Sequence, residues 1–220
     1  MTDLDTFTLV GREGRRPRGH TDRQSELLDA LEEVFFQEGF THLTIGEMVS
    51  RLRCSRRTIY SLAPSREELI LIVVDRLLHR IGREAHAAAA ACGDPSEAIE
   101  AYLARSVTTL ARATPAFNSD VDSYLPTRQL YDRHLGVALR ELAGFVRDGV
   151  ENGIFRPLNA DVIAEVLAGV AERIRRPEVL GRVGVTHDEA LALLGDLMRR
   201  GMLVDGSSTM KGRRGGSRGS

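Results

Sequence analysis

Cysteine is scarce in this chain. Cys54 and Cys92 are the only two in 220 residues, too few for a disulfide framework or a cysteine-built metal site. Long apolar runs are missing as well. The longest aliphatic stretch, Leu69 to Val74, has six residues, against about 20 for a bilayer span, so no membrane partner is expected. The N-terminus lacks a basic start followed by an apolar stretch of about 7–15 residues, so no secretory signal is visible and a cytoplasmic protein is expected. An excess of one charge is also absent: the net charge is −1, and global charge does not point to nucleic acid. Lysine is nearly absent too, Lys211 being the only one among 30 cationic residues. What is present is ordinary for a globular protein, with 42% apolar and 28% charged residues. That supports one generous domain or two small ones.

The local distribution of charge is more telling. From Arg51 to Arg66 stand five arginines, at 51, 53, 56, 57 and 66, and no acid. In a chain so rich in arginine the missing acids are the better half of the signal. Residues 1–20, with Arg12, Arg15, Arg16 and Arg18 among glycine and proline, read as a disordered basic arm. Residues 205–220 hold five glycines, four serines and four cations and read as a disordered tail.

Between these ends the pattern is helical, with no strand-like alternation. Helix starts are marked by recurrent capping boxes, in which the first and fourth side chains each satisfy a backbone N–H of the first turn. Thr21–Gln24, Thr44–Glu47, Ser65–Glu68 and Thr186–Glu189 fit, as does Asp94–Glu97 with Pro95 at the first helical position. The first helix carries Leu27, Leu31, Val34 and Phe35 inward and stops at Gly39. Helices are expected from Thr44, from Ser65 to about Cys92, from Pro95 to about Thr114, from Thr127 to Asn152, and from near Asn159 and Thr186. Pro115 and Pro126 bracket a short segment. The fold class is all-α.

Residues 24–69 carry the functional signal. Thr44 to about Leu52 and Ser55 to about Leu62 form two short helices joined by a tight turn, behind a longer helix: a helix-turn-helix arrangement. At about 100° per residue, Arg56, Arg57 and Tyr60 share one outward face while Ile59 and Leu62 face inward. An exposed helix bearing guanidinium forks suits the major groove, where arginine pairs bidentately with guanine O6 and N7.

The stretch resembles the tetracycline-repressor (TetR) family of bacterial transcriptional regulators. Leu27, Leu28, Ala30, Phe35, Gly39-Phe40, Leu43-Thr44-Ile45, Glu47-Met48, Ser55, Thr58-Ile59-Tyr60 and Ser65 to Leu69 carry the likeness. Gly153 to Arg156 and Ala168-Gly169 are a weaker echo. The resemblance implies an N-terminal three-helix DNA-binding domain over 21–68 and a C-terminal helical ligand-binding and dimerisation domain over 69–204. It implies phosphate contacts from Thr44, Ser55 and Arg66, base-facing positions for Arg56 and Arg57, and backbone or base contacts for Thr58 and Tyr60. Arg53 stands where a turn glycine is common, Arg57 where the residue is usually small, and Ala63 where an aromatic is usual; Gly46 leaves one position without a side chain.

The implied activity is that of a regulator, most often a repressor, bound as a homodimer to a palindromic double-stranded operator and released by a small-molecule effector. Wide apolar stripes fit a homodimer: Val162, Ile163, Val166, Leu167, Val170 and Ile174, then Leu191, Leu194, Leu197 and Met198. Tyr102, Arg105, Asn118, Tyr124, Tyr131, His134 and Arg173 interrupt apolar helices and are candidates for the effector pocket.

Catalysis is not expected. No metalloprotease motif, nucleophile elbow, phosphate-binding loop or dinucleotide fingerprint is present, so no cofactor is expected. Ser119, Asp120 and His134 have no triad spacing. His79 and His86 share a face but lie about 10.5 Å apart along the helix axis, too far for one ion, and no metal is expected. The alternatives are a helical small-molecule or lipid-binding protein without a DNA role, an all-α enzyme, and a regulator whose C-terminal domain only dimerises.

Overall fold

A computed structural model describes residues 22–174 and 176–203. The expected basic arm, the expected tail and the cap at Thr21 lie outside the described residues. Those residues form ten helices and no strand; the one β-type pairing is an isolated bridge between Phe155 and Leu203. The helices are α1 (Asp22–Glu38), α2 (Ile45–Leu52), α3 (Arg56–Leu62), α4 (Arg66–Ala90), α5 (Pro95–Leu110), α6 (Pro115–Ser123), α7 (Leu125–Glu151), α8 (Ala160–Ile174), α9 (Pro177–Val183) and α10 (His187–Met202).

The capping chemistry works as the residues dictate. Thr44 and Glu47 make the reciprocal box, and so do Thr186 and Glu189. Ser65 accepts from the Glu68 N–H at 3.1 Å, and Asp94 accepts from Ser96 and Glu97. The α9 helix was not anticipated; at seven residues it is too short to show a period, and Gly184 at φ +71 ends it.

Two apolar clusters share the α4 helix. The first joins α1, α2, α3 and the first half of α4, and draws in Phe117 and Val121 from α6 and Leu130 from α7. Phe36 and Phe40 meet Phe117 with ring centroids 5.0 and 6.0 Å apart. The second joins the end of α4 (Ala85, Ala89) to α5, α7, α8 and α10. Gly149 on α7 is fixed by this packing, because a Cβ there would enter the Phe155 ring.

One buried charge ties α1 to α4. The Glu32 carboxylate lies 2.8 Å from Arg80 Nη2 and 3.1 Å from Arg76 Nε, the latter without good hydrogen-bond alignment. Burial, the largest influence, raises the Glu32 pKa above its ordinary value, and the hydrogen bond from Arg80 opposes it.

Arg53, where a turn glycine is common, sits at φ +48 and ψ +45, in the left-handed region. That conformation costs a side-chain-bearing residue roughly 1–2 kcal/mol, while glycine loses about 0.5–1 kcal/mol more chain entropy on folding. Arg53→Gly is therefore expected to stabilise the chain by about 0.5–1 kcal/mol. Urea unfolding checks it: the midpoint should rise with an unchanged slope, and a lower midpoint would contradict the strain argument.

Candidate nucleic-acid interface and effector cavity

The interface begins with the two caps. Thr44 opens α2, Arg53 closes it, and Ser55 opens α3 two residues later, accepting from the Thr58 N–H at 3.1 Å. The Ser55 and Thr58 hydroxyls lie 2.8 Å apart. Ile59 and Leu62 are buried, which fixes the roll of α3. Arg56, Arg57 and Tyr60 are consequently exposed together, Tyr60 at 51%. Arg56 leans over α2, its Nη2 3.8 Å from where a Gly46 Cβ would stand. A Cβ there would make only ordinary van der Waals contact with the guanidinium.

Not every arginine of the acid-free segment belongs to this face. Arg51 is paired with Glu38 of α1 at 2.6 Å, and that hydrogen bond, the largest influence, holds the Glu38 carboxyl below its ordinary range. Among the described residues Arg56 and Arg57 have no carboxylate partner.

Two of the expected phosphate ligands are engaged elsewhere. Arg66, instead of pointing outward, reaches back into the α1–α2 turn. Its Nε donates to the Leu43 carbonyl at 2.6 Å, and its Nη2 to the carbonyls of Phe40 at 3.1 Å and Thr41 at 2.5 Å. Nη1 lies 3.5 Å from Glu67. With five guanidinium donors in all, at most one is left for a phosphate. Thr44 donates both its N–H (2.7 Å) and its hydroxyl (2.8 Å) to Glu47. Those bonds, the backbone one first, hold the Glu47 carboxyl below its ordinary range, so a negative charge occupies the donors a phosphate would need.

The same turn is held from the other side by a residue that no local motif selects. Asp120 on α6 accepts from the Phe40 N–H at 2.5 Å, the Thr41 N–H at 2.9 Å and the Thr41 hydroxyl at 2.6 Å. Arg66 thus binds the carbonyls of residues 40–43 and Asp120 their N–H groups. Gly39 sits at φ +80, and a Cβ there would fall 2.5 Å from the Asp120 carboxylate. Thr114 at the start of α6 donates its N–H to the Phe36 carbonyl at 3.0 Å. These contacts span about 80 positions, beyond the reach of any local motif.

A cavity of about 410 Å³ opens between α4, α5 and α7. Three of the seven expected pocket residues line it: Tyr102, Tyr131 and His134. Burial, joined by the Glu141 carboxylate, pushes the Tyr102 phenol far above its ordinary range, so it is a neutral donor. Tyr131 donates its hydroxyl to Glu172 of α8 at 2.6 Å. The other four lie away from the cavity lining. Arg105 is pulled outward by Glu84 at 2.6 Å. Tyr124 packs at the α6–α7 junction against the first apolar cluster, Asn118 belongs to α6, and Arg173 is exposed near the end of α8. Periodicity marks polar breaks in apolar helices, but it does not say which helix faces bound the void.

Ser119, Asp120 and His134 do not form a triad, since Asp120 is bonded to the α1–α2 turn and His134 to Asp75. No helix among the described residues is long and apolar enough to cross a membrane.

Residues 27–73 match the family model described as "Bacterial regulatory proteins, tetR family". No curated protein matches this sequence. Several solved structures share the fold. A TetR transcription regulator from Haloarcula marismortui is 16% identical, with a TM-score of 0.70 over 84% of this chain and all of its own. The transcriptional regulator FadR from Bacillus subtilis, in complex with stearoyl-CoA, is 16% identical with a TM-score of 0.65, over 80% of this chain and 98% of its own. AibR, in complex with isovaleryl coenzyme A and operator DNA, is 15% identical with a TM-score of 0.61, over 80% and 97%. The family's sequence pattern thus covers residues 27–73, on α1 to α4, and the fold of these regulators extends over the described chain.

Proposed function

We propose that this chain is a cytoplasmic, homodimeric DNA-binding regulator, more repressor-like than activator-like, which leaves a palindromic operator when a small molecule enters the α4–α5–α7 cavity. The observation that carries the reading is the α3 face: two arginines without carboxylate partners and an exposed tyrosine, held outward by the burial of Ile59 and Leu62. A solvated surface helix has no need of that combination, and a helical lipid-binding protein without a DNA role has no use for it. Arg56 and Arg57 are assigned to base edges, and Ser55, Thr58 and Tyr60 to the backbone beside them.

The dimer is supported by apolar surface that one chain leaves uncovered. Val162 and Val166 on α8 and Leu193 and Leu197 on α10 are exposed, Leu197 at 69%, while Leu167, Leu194 and Met198 on the same helices are buried. Two such helices from each copy make a four-helix interface. Leu197→Glu with Val166→Glu should halve the mass measured by light scattering; a variant that stays dimeric would remove α8 and α10 from the interface.

The cavity is assigned to the effector, and its lining gives it both apolar walls and convergent polar groups. Among relatives of the fold, the FadR and AibR complexes hold acyl-coenzyme A molecules and AibR also holds operator DNA. A ligand there acts only through its differential affinity for the two conformers. Selection of bound fragments from genomic DNA tests the proposal: recovery of one palindromic sequence supports it, and uniform recovery of all fragments overturns it.

A further inference from the structure

The cavity wall contains a cluster that spacing along the sequence conceals. Asp75 and His79 stand one helical turn apart on α4, and His134 faces them from α7. His134 Nε2 lies 2.9 Å from Asp75 Oδ1, and His79 Nε2 lies 3.7 Å from Asp75 Oδ2. The two imidazole rings meet edge to face with centroids 4.6 Å apart. One donor atom from each of the three residues falls within 4.8 Å of the others. His79 is distant from His86 along the helix, as the spacing indicates, but its partner is on another helix.

We infer that Asp75, His79 and His134 form a binding site for a divalent transition-metal ion of the Zn²⁺ type in the wall of the C-terminal cavity. In a tetrahedral site with bonds of about 2.0–2.1 Å, neighbouring donor atoms are roughly 3.3 Å apart. The 2.9 and 3.7 Å distances run to the two different oxygens of the Asp75 carboxylate, and with one donor atom per residue the three lie within 4.8 Å of one another, so side-chain rotation is what would draw them to that edge around an ion. Two imidazoles and one carboxylate suit borderline ions such as Zn²⁺, Co²⁺ and Ni²⁺ rather than Mg²⁺ or Ca²⁺, which take oxygen ligands.

The surroundings fit a metal with an open position. His79 and His134 both border the void, so water or a donor atom of a bound molecule can complete the coordination. Arg83 also lines the cavity and adds an opposing charge, while Glu141 supplies a second acid on the facing wall.

The site stands apart from the DNA reading and is tested without DNA. Chelator-stripped full-length protein is titrated with Co²⁺, following its visible ligand-field bands, and with Zn²⁺ in competition with a chromophoric chelator. One equivalent per chain is expected. Loss of an outer-shell partner alone costs about 10–100-fold in metal affinity, so His79→Ala and His134→Ala should each lose about 100-fold or more. Asp75→Asn preserves the shape of the side chain and should weaken binding in a chain that circular dichroism shows folded. His86→Ala, outside the cluster, should bind as the unmodified protein does. Unmodified protein that binds Zn²⁺ no tighter than His79→Ala or His134→Ala would overturn the assignment.

Discussion

Replacing Asp120 by alanine should cost about 2–4 kcal/mol of stability, the sum expected when a charged acceptor is removed from a partly buried N–H and from two further donors. The group left behind decides the magnitude. Phe40 is fully buried among Phe35, Phe36 and Phe117, and its N–H has no other acceptor within the turn. The Thr41 N–H and hydroxyl are exposed and can turn to water at little cost. Asp120→Asn keeps an oxygen for the two N–H groups and should cost about half as much, because it loses the charge but not the acceptor. Urea unfolding of both variants checks the order, and an alanine variant as stable as the asparagine one would show that the Phe40 N–H finds another partner.

The same substitution bears on communication between cavity and interface. Tyr131 and His134 of the cavity wall are on α7. At its start, buried Thr127 donates its hydroxyl to the carbonyls of Val121 at 3.3 Å and Tyr124 at 2.8 Å, which bolts α7 to α6. Asp120 then bolts α6 to the turn before α2, and Arg66 bolts that turn to α4. In the proposed reading a ligand that shifts α7 moves this chain of contacts as one piece. Asp120→Ala opens the link in the middle. Effector-driven release of DNA should therefore weaken more than DNA affinity itself, a split that a binding titration with and without effector resolves.

The helices were legible in the sequence because their information is local. A capping box needs four residues and an apolar stripe needs two turns, and Thr44, Asp94, Pro95 and Thr186 all stand where they open helices. The outward face of α3 was legible for the same reason: Ile59 and Leu62 fix its roll. The misplacements came from groups whose partners are distant in the chain. Arg66 and Thr44 have the right chemistry for phosphate, but residues 40–43 and Glu47 claim their donors. Asp120, Glu32 and the Asp75–His134 pair are joined to partners about 50–80 positions away. No periodicity or motif encodes such a pair. The burial of a carboxylate among apolar neighbours becomes visible only once the helices are packed.

Arg56→Ala should weaken binding to the selected operator by about 1–3 kcal/mol, roughly five- to 150-fold, and relax the choice of base at one position of each half-site. The reason lies in where the guanidinium can go. It projects from the first turn of α3 beside Gly46, and among the described residues no carboxylate holds it against the protein. A major-groove guanine would offer it two acceptors in the geometry of its own fork. Arg57, one residue on, points about 100° away around the helix, so the two forks meet different base steps or one meets the backbone. Substituting them separately distinguishes these cases. A base-reading arginine loses affinity for the operator and little for random duplex, whereas a phosphate-bound one loses both alike and lowers the salt slope by about one. Competition titrations at two salt concentrations, with operator and random duplex in parallel, give both quantities for each variant. Equal losses on the two DNAs for Arg56→Ala and Arg57→Ala would move both arginines to the phosphate backbone and leave Tyr60, the remaining exposed side chain of that face, to choose the sequence.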